Sequence, residues 1–114
     1  AFDLSEGFCV KGADTAAFLE QALSSLGLTR REANEFIVYW LPLMQDNPYN
    51  LISFQTTAYT DAAKLEISPT PDTLIRVFMA WKPSDTFVTL PSQTLTAPAR
   101  SGFTVVEWGG TKLP

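Results

Sequence analysis

The sequence predicts an α+β fold in which an N-terminal helical hairpin packs on one face of a mainly antiparallel sheet of about four to five strands. Apolar residues recur at helical spacing in the first half of the chain, whereas they alternate or run continuously in the second half. The links between the predicted strands are too short for repeated crossover helices, which favours antiparallel neighbours. We expect the 114 residues, 1–114, to form a single domain.

The first helix is predicted between two residues that favour helix ends. Asp14 is a residue type that caps helix N-termini, and Gly27 suits the left-handed conformation that follows a helix C-terminus. Between them, apolar residues recur every three or four positions, at Ala16, Leu19, Leu23 and Leu26.

The second helix is predicted directly after the first, because Thr29 and Glu32 have the spacing of a capping box. Its apolar stripe consists of Ala33, Phe36, Ile37, Trp40 and Met44. We expect Pro42 to kink this helix or to end its regular hydrogen bonding near Leu41. The short link between the two helices predicts that they pack as a hairpin.

The second half of the chain has the patterns of strands. Strands are predicted over residues 51–56, 65–67, 73–81, 87–90 and 103–108, with one helical turn over 59–63. Residues 73–81 are apolar on both faces apart from Thr73 and Arg76, which is typical of a central strand. Pro91 and Pro98 place the segment before the last strand in a loop or at an edge.

The absence of histidine excludes several classes of site within these residues. The chain has no histidine and one cysteine, so catalytic triads and ordinary zinc sites have no ligands or bases. No Asp-rich calcium loop and no glycine-rich phosphate loop occurs. We therefore expect no metal, no cofactor and no catalytic residue. Cys9, between Phe8 and Val10, is predicted to be a buried small apolar residue, the alternative being a reactive thiol.

The charge balance bears on the partners of the chain. Twelve acidic and eight basic residues give a net charge of −4, which would repel a phosphate backbone. We therefore expect no nucleic-acid partner. No apolar run approaches the roughly 20 residues that a membrane span requires, so we expect none. The oligomeric state is left open.

Glu107 is the one acid within an apolar strand, beside Trp108. One interpretation is a structural ion pair with Arg76, the only charge in the other long apolar strand. The alternative is a carboxylate-dependent, glycosidase-like hydrolase with Glu107 as the acid and a second acid from Asp72, Asp85 or a segment outside the chain. One acid is not a dyad, so we favour the ion pair.

Aromatic side chains are the remaining candidates for binding. Trp81 and Trp108 end apolar strands and therefore border loops, where indole rings stack on sugars or anchor proteins. We name these two as ligand-binding candidates, with a glycan or a protein as the ligand. A third hypothesis is a protein–protein interaction module that uses an uncovered sheet face or an open edge strand.

Four segments occur in a characteristic order: Glu32–Pro42, Asn47–Asn50, Pro71–Met79 and Gly102–Gly110. Together they resemble the C-terminal region of an uncharacterised family of secreted or surface-attached proteins from Gram-positive bacteria, whose function is unassigned. The resemblance spans Gly7 to Thr111. It supplies no catalytic or binding residues.

The resemblance implies an extracellular or cell-surface location. It also implies a further strand-forming segment ahead of Gly7, so we expect the chain to be a fragment or processed piece of a longer exported protein. The leading hypothesis is a non-catalytic binding or structural domain.

Overall fold

The computed structural model describes residues 4–55 and 68–114, which form two helices and a four-stranded sheet. The elements in chain order are β1 (Phe8–Lys11), a 3-10 turn (Gly12–Asp14), α1 (Thr15–Ser25), α2 (Arg30–Met44), β2 (Tyr49–Phe54), β3 (Thr73–Ser84) and β4 (Thr104–Lys112). The predicted α+β class is confirmed. The predicted turn over 59–63 and strand over 65–67 lie outside the described residues.

The sheet is mixed, with the spatial order β1-β2-β3-β4. β2 is antiparallel to both β1 and β3, whereas β3 and β4 are parallel and pair from Thr73↔Thr104 to Trp81↔Lys112. The prediction of a mainly antiparallel sheet is therefore wrong. It assumed that a parallel crossover needs a helix, but residues 85–103 return to the start of β4 without one.

The crossover segment 85–103 contains no strand, so the strand predicted over 87–90 is wrong. The segment is held by individual hydrogen bonds instead of a ladder. Val88 N donates to Sγ of the half-buried Cys9 at 3.4 Å. The side chain of Gln93 accepts from Phe54 N at 2.7 Å and donates to Phe54 O at 2.9 Å. These contacts replace the ladder that prolines in this segment disfavour.

The first strand was missed by the sequence prediction, which took the run around Cys9 only as buried apolar residues. β1 is the edge strand beside β2, with Phe8 opposite Ile52. A run of four residues is too short to distinguish a strand from any other buried segment. Its identity as a strand comes from the pairing partner much later in the chain.

The junction between the two helices has the predicted caps. Gly27 has φ +100°, and Leu28 N donates to Leu23 O at 3.0 Å, as in a Schellman motif. The Thr29 hydroxyl accepts from Glu32 N at 3.3 Å, and Glu32 Oε1 accepts from Thr29 N at 2.8 Å. These bonds confirm the predicted turn and capping box, and they satisfy backbone groups that helix ends leave open.

Two details of the helices differ from the prediction. Asp14 lies at the N-cap position of α1, but its side chain makes no capping hydrogen bond. The first turn is tied instead by Thr15 Oγ1, which donates to Lys11 O at 3.1 Å. Of the two effects expected of Pro42, a kink or an end to the helix, the end does not occur, because α2 continues to Met44. Pro42 lies on the exposed side of α2, where water can solvate the carbonyl that loses its donor.

The core lies between the two helices and one face of the sheet. α1 covers β1 and β2, since the Phe18 ring lies 5.0 Å from Phe8 and 6.4 Å from Phe54 between centroids. α2 covers β3 and β4, since the Trp40 ring lies 6.3 Å from the Trp81 ring and against Gly110. The buried residues of β3 that alternate toward the helices are Ile75, Val77, Met79 and Trp81.

Candidate interaction surface

Arg76 and Glu107 are register partners on the parallel strands β3 and β4. Arg76 Nε donates to Glu107 Oε1 at 3.1 Å, and Arg76 Nη2 lies 3.1 Å from the same oxygen. The Arg76 side chain is 6% exposed and that of Glu107 is 25% exposed. The pair lies on the sheet face opposite the helices, because the next residue on each strand, Val77 or Trp108, packs toward the helical core. The contact therefore joins β3 to β4.

The acids that the sequence offered as partners of Glu107 lie at the two ends of β3. Asp72 precedes the strand, and its Oδ2 accepts from Phe103 N at 2.7 Å. Asp85 follows the strand. At roughly 3.3 Å per residue, the level of Arg76 and Glu107 is about 13 Å from Asp72 and about 30 Å from Asp85 along the strand. A glycosidase dyad needs roughly 5–10 Å between carboxyl groups, so strand geometry does not favour one here.

Residues 4–55 and 68–114 contain neither a cluster of potential metal ligands nor a helix that could span a membrane. No group of three or more potential ligands among His, Cys, Asp and Glu occurs in this part of the chain. Neither α1 nor α2, the helices described there, has the length and apolarity needed to cross a bilayer.

The two tryptophans proposed as ligand-binding residues have different environments. Trp81 is fully buried, because α2 covers the end of β3, so the indole has no open face for a ligand. The Trp81 assignment is therefore corrected to a core residue. Trp108 is half-buried, with its ring 5.2 Å from Phe36 and 5.8 Å from Tyr39 between centroids. Of the two, only Trp108 borders the surface.

The outward side of α2 carries apolar residues that the sequence prediction missed. Val38 is 74% exposed, Tyr39 59% and Leu43 56%, and Pro42 between them is also exposed. We call Val38, Tyr39, Pro42 and Leu43 the α2 stripe. A signal for it was present, because the run from Phe36 to Met44 is apolar throughout. A surface helix needs apolar residues on one face only.

β4 is an edge of the sheet, and no strand in the described ranges pairs with its outer side. Edge strands are commonly protected by proline, a bulge, short length or central charges. β4 spans Thr104–Lys112, contains no proline, and its one internal charge, Glu107, is paired with Arg76. Its backbone donors and acceptors are therefore suited to pairing with another strand.

The α2 stripe and the β4 edge are adjacent. The Tyr39 ring lies 5.8 Å from the Trp108 ring of β4, and 4.8 Å from the Trp40 ring. Trp40 in turn lies against Gly110 of β4. We call the α2 stripe together with β4 the α2–β4 surface. Because its helical and strand parts are in contact, one partner can cover both.

The helical layer is also tied to the crossover segment by an ion pair. Arg100 donates to Glu32 Oε1 at 2.9 Å and Oε2 at 2.7 Å, and to the backbone oxygen of Gly27 at 3.0 Å. The hydrogen bonds from Arg100 lower the pKa of Glu32 from 4.5 to about 2, assisted by the Thr29 amide and by charge attraction. Glu32 therefore caps α2 and holds residues 85–103 against the helical hairpin.

Comparison with known proteins adds no family assignment. The chain matches no protein-family model, no curated protein and no solved structure. Function must therefore be inferred from the arrangement of the residues themselves.

Proposed function

We propose that this chain is a non-catalytic binding domain of an exported bacterial protein, and that it recognises a protein partner through the α2–β4 surface. The observation that carries the proposal is the exposure of Val38, Tyr39 and Leu43 beside β4, whose outer side pairs with no strand in residues 4–55 and 68–114. The exported location is supported by the resemblance of the sequence segments alone.

The α2 stripe differs from ordinary scattered apolar exposure. Single exposed apolar residues are common on soluble proteins, whereas contiguous ones mark interaction sites. The three side chains lie on one side of α2, and Tyr39 connects them to Trp108 on β4. Aromatic side chains at such a position supply large contact area with little loss of side-chain entropy.

A protein partner fits this surface better than a glycan or a nucleic acid. Burial of Trp81 leaves Trp108 without the second indole that a glycan platform would have used. The net charge of −4 disfavours a polyanion. A protein segment can satisfy both parts of the surface, since it offers backbone groups to β4 and apolar side chains to the α2 stripe.

Peptide-display selection on the immobilised domain tests this proposal. Peptides are selected against the wild-type chain and their affinities are then measured for a variant that combines Val38→Glu and Leu43→Glu. The matched control combines Phe87→Glu and Thr89→Glu, which adds the same charge at exposed positions of the crossover segment, away from α2 and β4. Far-ultraviolet circular dichroism checks that both variants keep the wild-type secondary structure.

We expect the selected peptides to lose at least tenfold in affinity for the α2 variant and to retain their affinity for the control. The partner buries the Val38 and Leu43 side chains, and their replacement by carboxylates accounts for an effect of this size. Equal affinity for the wild-type chain and the α2 variant would overturn the proposed surface.

A further inference from the structure

We propose that the partner at the α2–β4 surface is a second copy of this chain, related by a two-fold axis that passes between two antiparallel β4 strands. This inference rests on the proposed function and names its partner. The resulting dimer has one continuous eight-stranded sheet made from two copies of β1-β2-β3-β4.

The sequence of β4 is compatible with pairing to itself. When two copies run antiparallel about Trp108, the two indoles lie opposite each other, and aromatic pairs of this kind stabilise neighbouring strands. Val106 then lies opposite Gly110, and Glu107 opposite Gly109. No two like charges face each other in this register. Such self-complementarity is the requirement for a two-fold interface.

The position of α2 allows the helices to meet across the same axis. α2 lies over β3 and β4, because Trp40 contacts both Trp81 and Gly110. Strands are about 4.8 Å apart, so a helix above the boundary of β3 and β4 is about 5 Å from the axis beside β4. Two such helices are then about 10 Å apart, which is within the usual packing distance of helices, about 8–10 Å.

The charges at the ends of the α2 stripe also match in this arrangement. Two antiparallel α2 helices that cross between Val38 and Tyr39 bring Arg31 of one copy opposite Asp46 of the other. Both side chains are exposed, and neither forms an ion pair with any residue in the described ranges. A two-fold axis produces this contact twice, so the stripe has apolar residues at its centre and complementary charges at both ends.

A second copy fits better than an isolated extended peptide. A peptide strand added to β4 satisfies the edge backbone and reaches the α2 stripe only with single side chains, because its backbone lies in the sheet layer. A partner that covers both layers with backbone elements must carry a helix at the correct height above its own edge strand. This chain has that combination in α2 and β4.

Sedimentation velocity over a concentration series tests the dimer. The key variants exchange the charges of Arg31 and Asp46. Arg31→Asp replaces two attractive contacts per dimer with two repulsive ones, and we expect it to raise the dimer dissociation constant about tenfold. Arg31→Asp combined with Asp46→Arg restores both contacts with their signs exchanged, so we expect this variant to have the dimer dissociation constant of the wild type. The variant with Val38→Glu and Leu43→Glu should be monomeric, whereas the variant with Phe87→Glu and Thr89→Glu should dimerise as the wild type does.

Three outcomes would overturn the inference: a wild-type chain that stays monomeric, a dimer that persists in the α2 variant, or a charge exchange that does not rescue dimerisation. The first outcome separates this inference from the proposed function. Selected peptides that still depend on Val38 and Leu43 would then support the surface while showing that its partner is another protein. Loss of peptide dependence as well would overturn both.

Discussion

The indole of Trp40 lies directly against the backbone of Gly110. A Cβ built at Gly110 would be 2.7 Å from Trp40 Cζ2, and the same indole meets Trp81 edge-on with centroids 6.3 Å apart. α2 therefore lies over β3 and β4 at a distance that depends on the missing side chain at position 110. The same contact sets the height of the α2 stripe above the edge of the sheet.

Substitution of Gly110 by alanine should destabilise the fold. The added Cβ would also be 2.8 Å from Met79 O, a backbone atom that cannot move aside alone. We expect a loss of about 1–3 kcal/mol in the free energy of unfolding, as for other overpacked cores. Urea unfolding followed by tryptophan fluorescence measures it.

Gly109→Ala is the matched control for this prediction. Among the described residues, a Cβ at Gly109 would first meet the Phe78 ring at 3.6 Å, which is an ordinary van der Waals distance. We expect its unfolding free energy to stay within about 0.5 kcal/mol of the wild-type value. Equal losses for the two variants would contradict the role assigned to the contact between Trp40 and Gly110.

The ion pair between Arg76 and Glu107 should show coupling in a double-mutant cycle. We expect Arg76→Ala and Glu107→Ala each to lower the free energy of unfolding by about 1–3 kcal/mol, because each leaves a partly buried charge without this partner. The double variant should lose less than the sum of the two. Chemical denaturation of the four proteins gives the coupling energy.

The exposed pair of Arg30 and Glu20 provides a control for the cycle. These side chains are 3.0 Å apart but 69% and 40% exposed. We expect their coupling to lie within about 0–1 kcal/mol, as is usual for surface pairs. If Arg76→Ala is costly and Glu107→Ala is not, the two residues do not act as a pair.

The contact of Glu32 with Arg100 should contribute to acid unfolding. The folded-state pKa of Glu32 is about 2, below its ordinary value of 4.5. A lowered folded-state pKa means that the contribution is present above about pH 4.5 and is lost as the pH falls toward 2. We expect the wild-type chain to lose more thermal stability over this interval than Glu32→Gln, which has no titrating carboxyl group.

Thermal midpoints from circular dichroism, measured for both proteins between pH 2 and pH 6, give this difference directly. Glutamine can still accept the Thr29 amide in the capping box, so the helix end is retained. The difference in thermal midpoint between the two proteins should shrink as the pH falls. A difference that stays constant from pH 6 to pH 2 would exclude this contribution of Glu32.

Asn50 is a fully buried polar residue that joins both helices to β2. Its Nδ2 donates to Met44 O at 2.8 Å and to Thr15 Oγ1 at 3.0 Å, and its Oδ1 accepts from Asn47 Nδ2 at 2.9 Å. Asn50→Ala should cost at least about 1–3 kcal/mol in unfolding free energy, because buried groups lose their partners.

An asparagine on the surface of α2 serves as the comparison for Asn50. Asn34 accepts a hydrogen bond from Arg30 Nε at 3.2 Å and is exposed. We expect Asn34→Ala to change the unfolding free energy by less than about 0.5 kcal/mol. Guanidinium unfolding of the two variants in parallel measures their losses in unfolding free energy. Equal losses would contradict the role of Asn50.

The boundaries of the helical hairpin were predictable because helix ends depend on neighbouring residues. The bonds that cap α1 and α2 join residues within five positions of each other, as in the contacts of Thr29 with Glu32 and Leu28 with Leu23. Pro42 was harder to interpret because its effect depends on which side of α2 faces water. A proline on the exposed side is compatible with a continuous helix.

Local pattern could not predict the order and direction of the strands. β1 pairs with a strand that follows both helices. β4 is parallel to β3 only because residues 85–103 lead from the end of β3 back to the level where β3 began. The hydrogen bonds that hold this return, from Gln93 to Phe54 and from Arg100 to Glu32, join residues 39 and 68 positions apart. Side chains at such separations carry no local periodicity that identifies their partners.

The sequence by itself determined the α+β class, the helical hairpin with the caps at its central junction, and the lack of histidine-based chemistry within these residues, because each depends on composition or on neighbouring positions. Only the tertiary structure decided which aromatic residues are covered. The packing of α2 over β3 buried Trp81, whereas Tyr39, one position from Trp40 on the same helix, is exposed beside Trp108. Exposure depends on contacts between distant elements, and for that reason the α2–β4 surface became visible only in the folded chain.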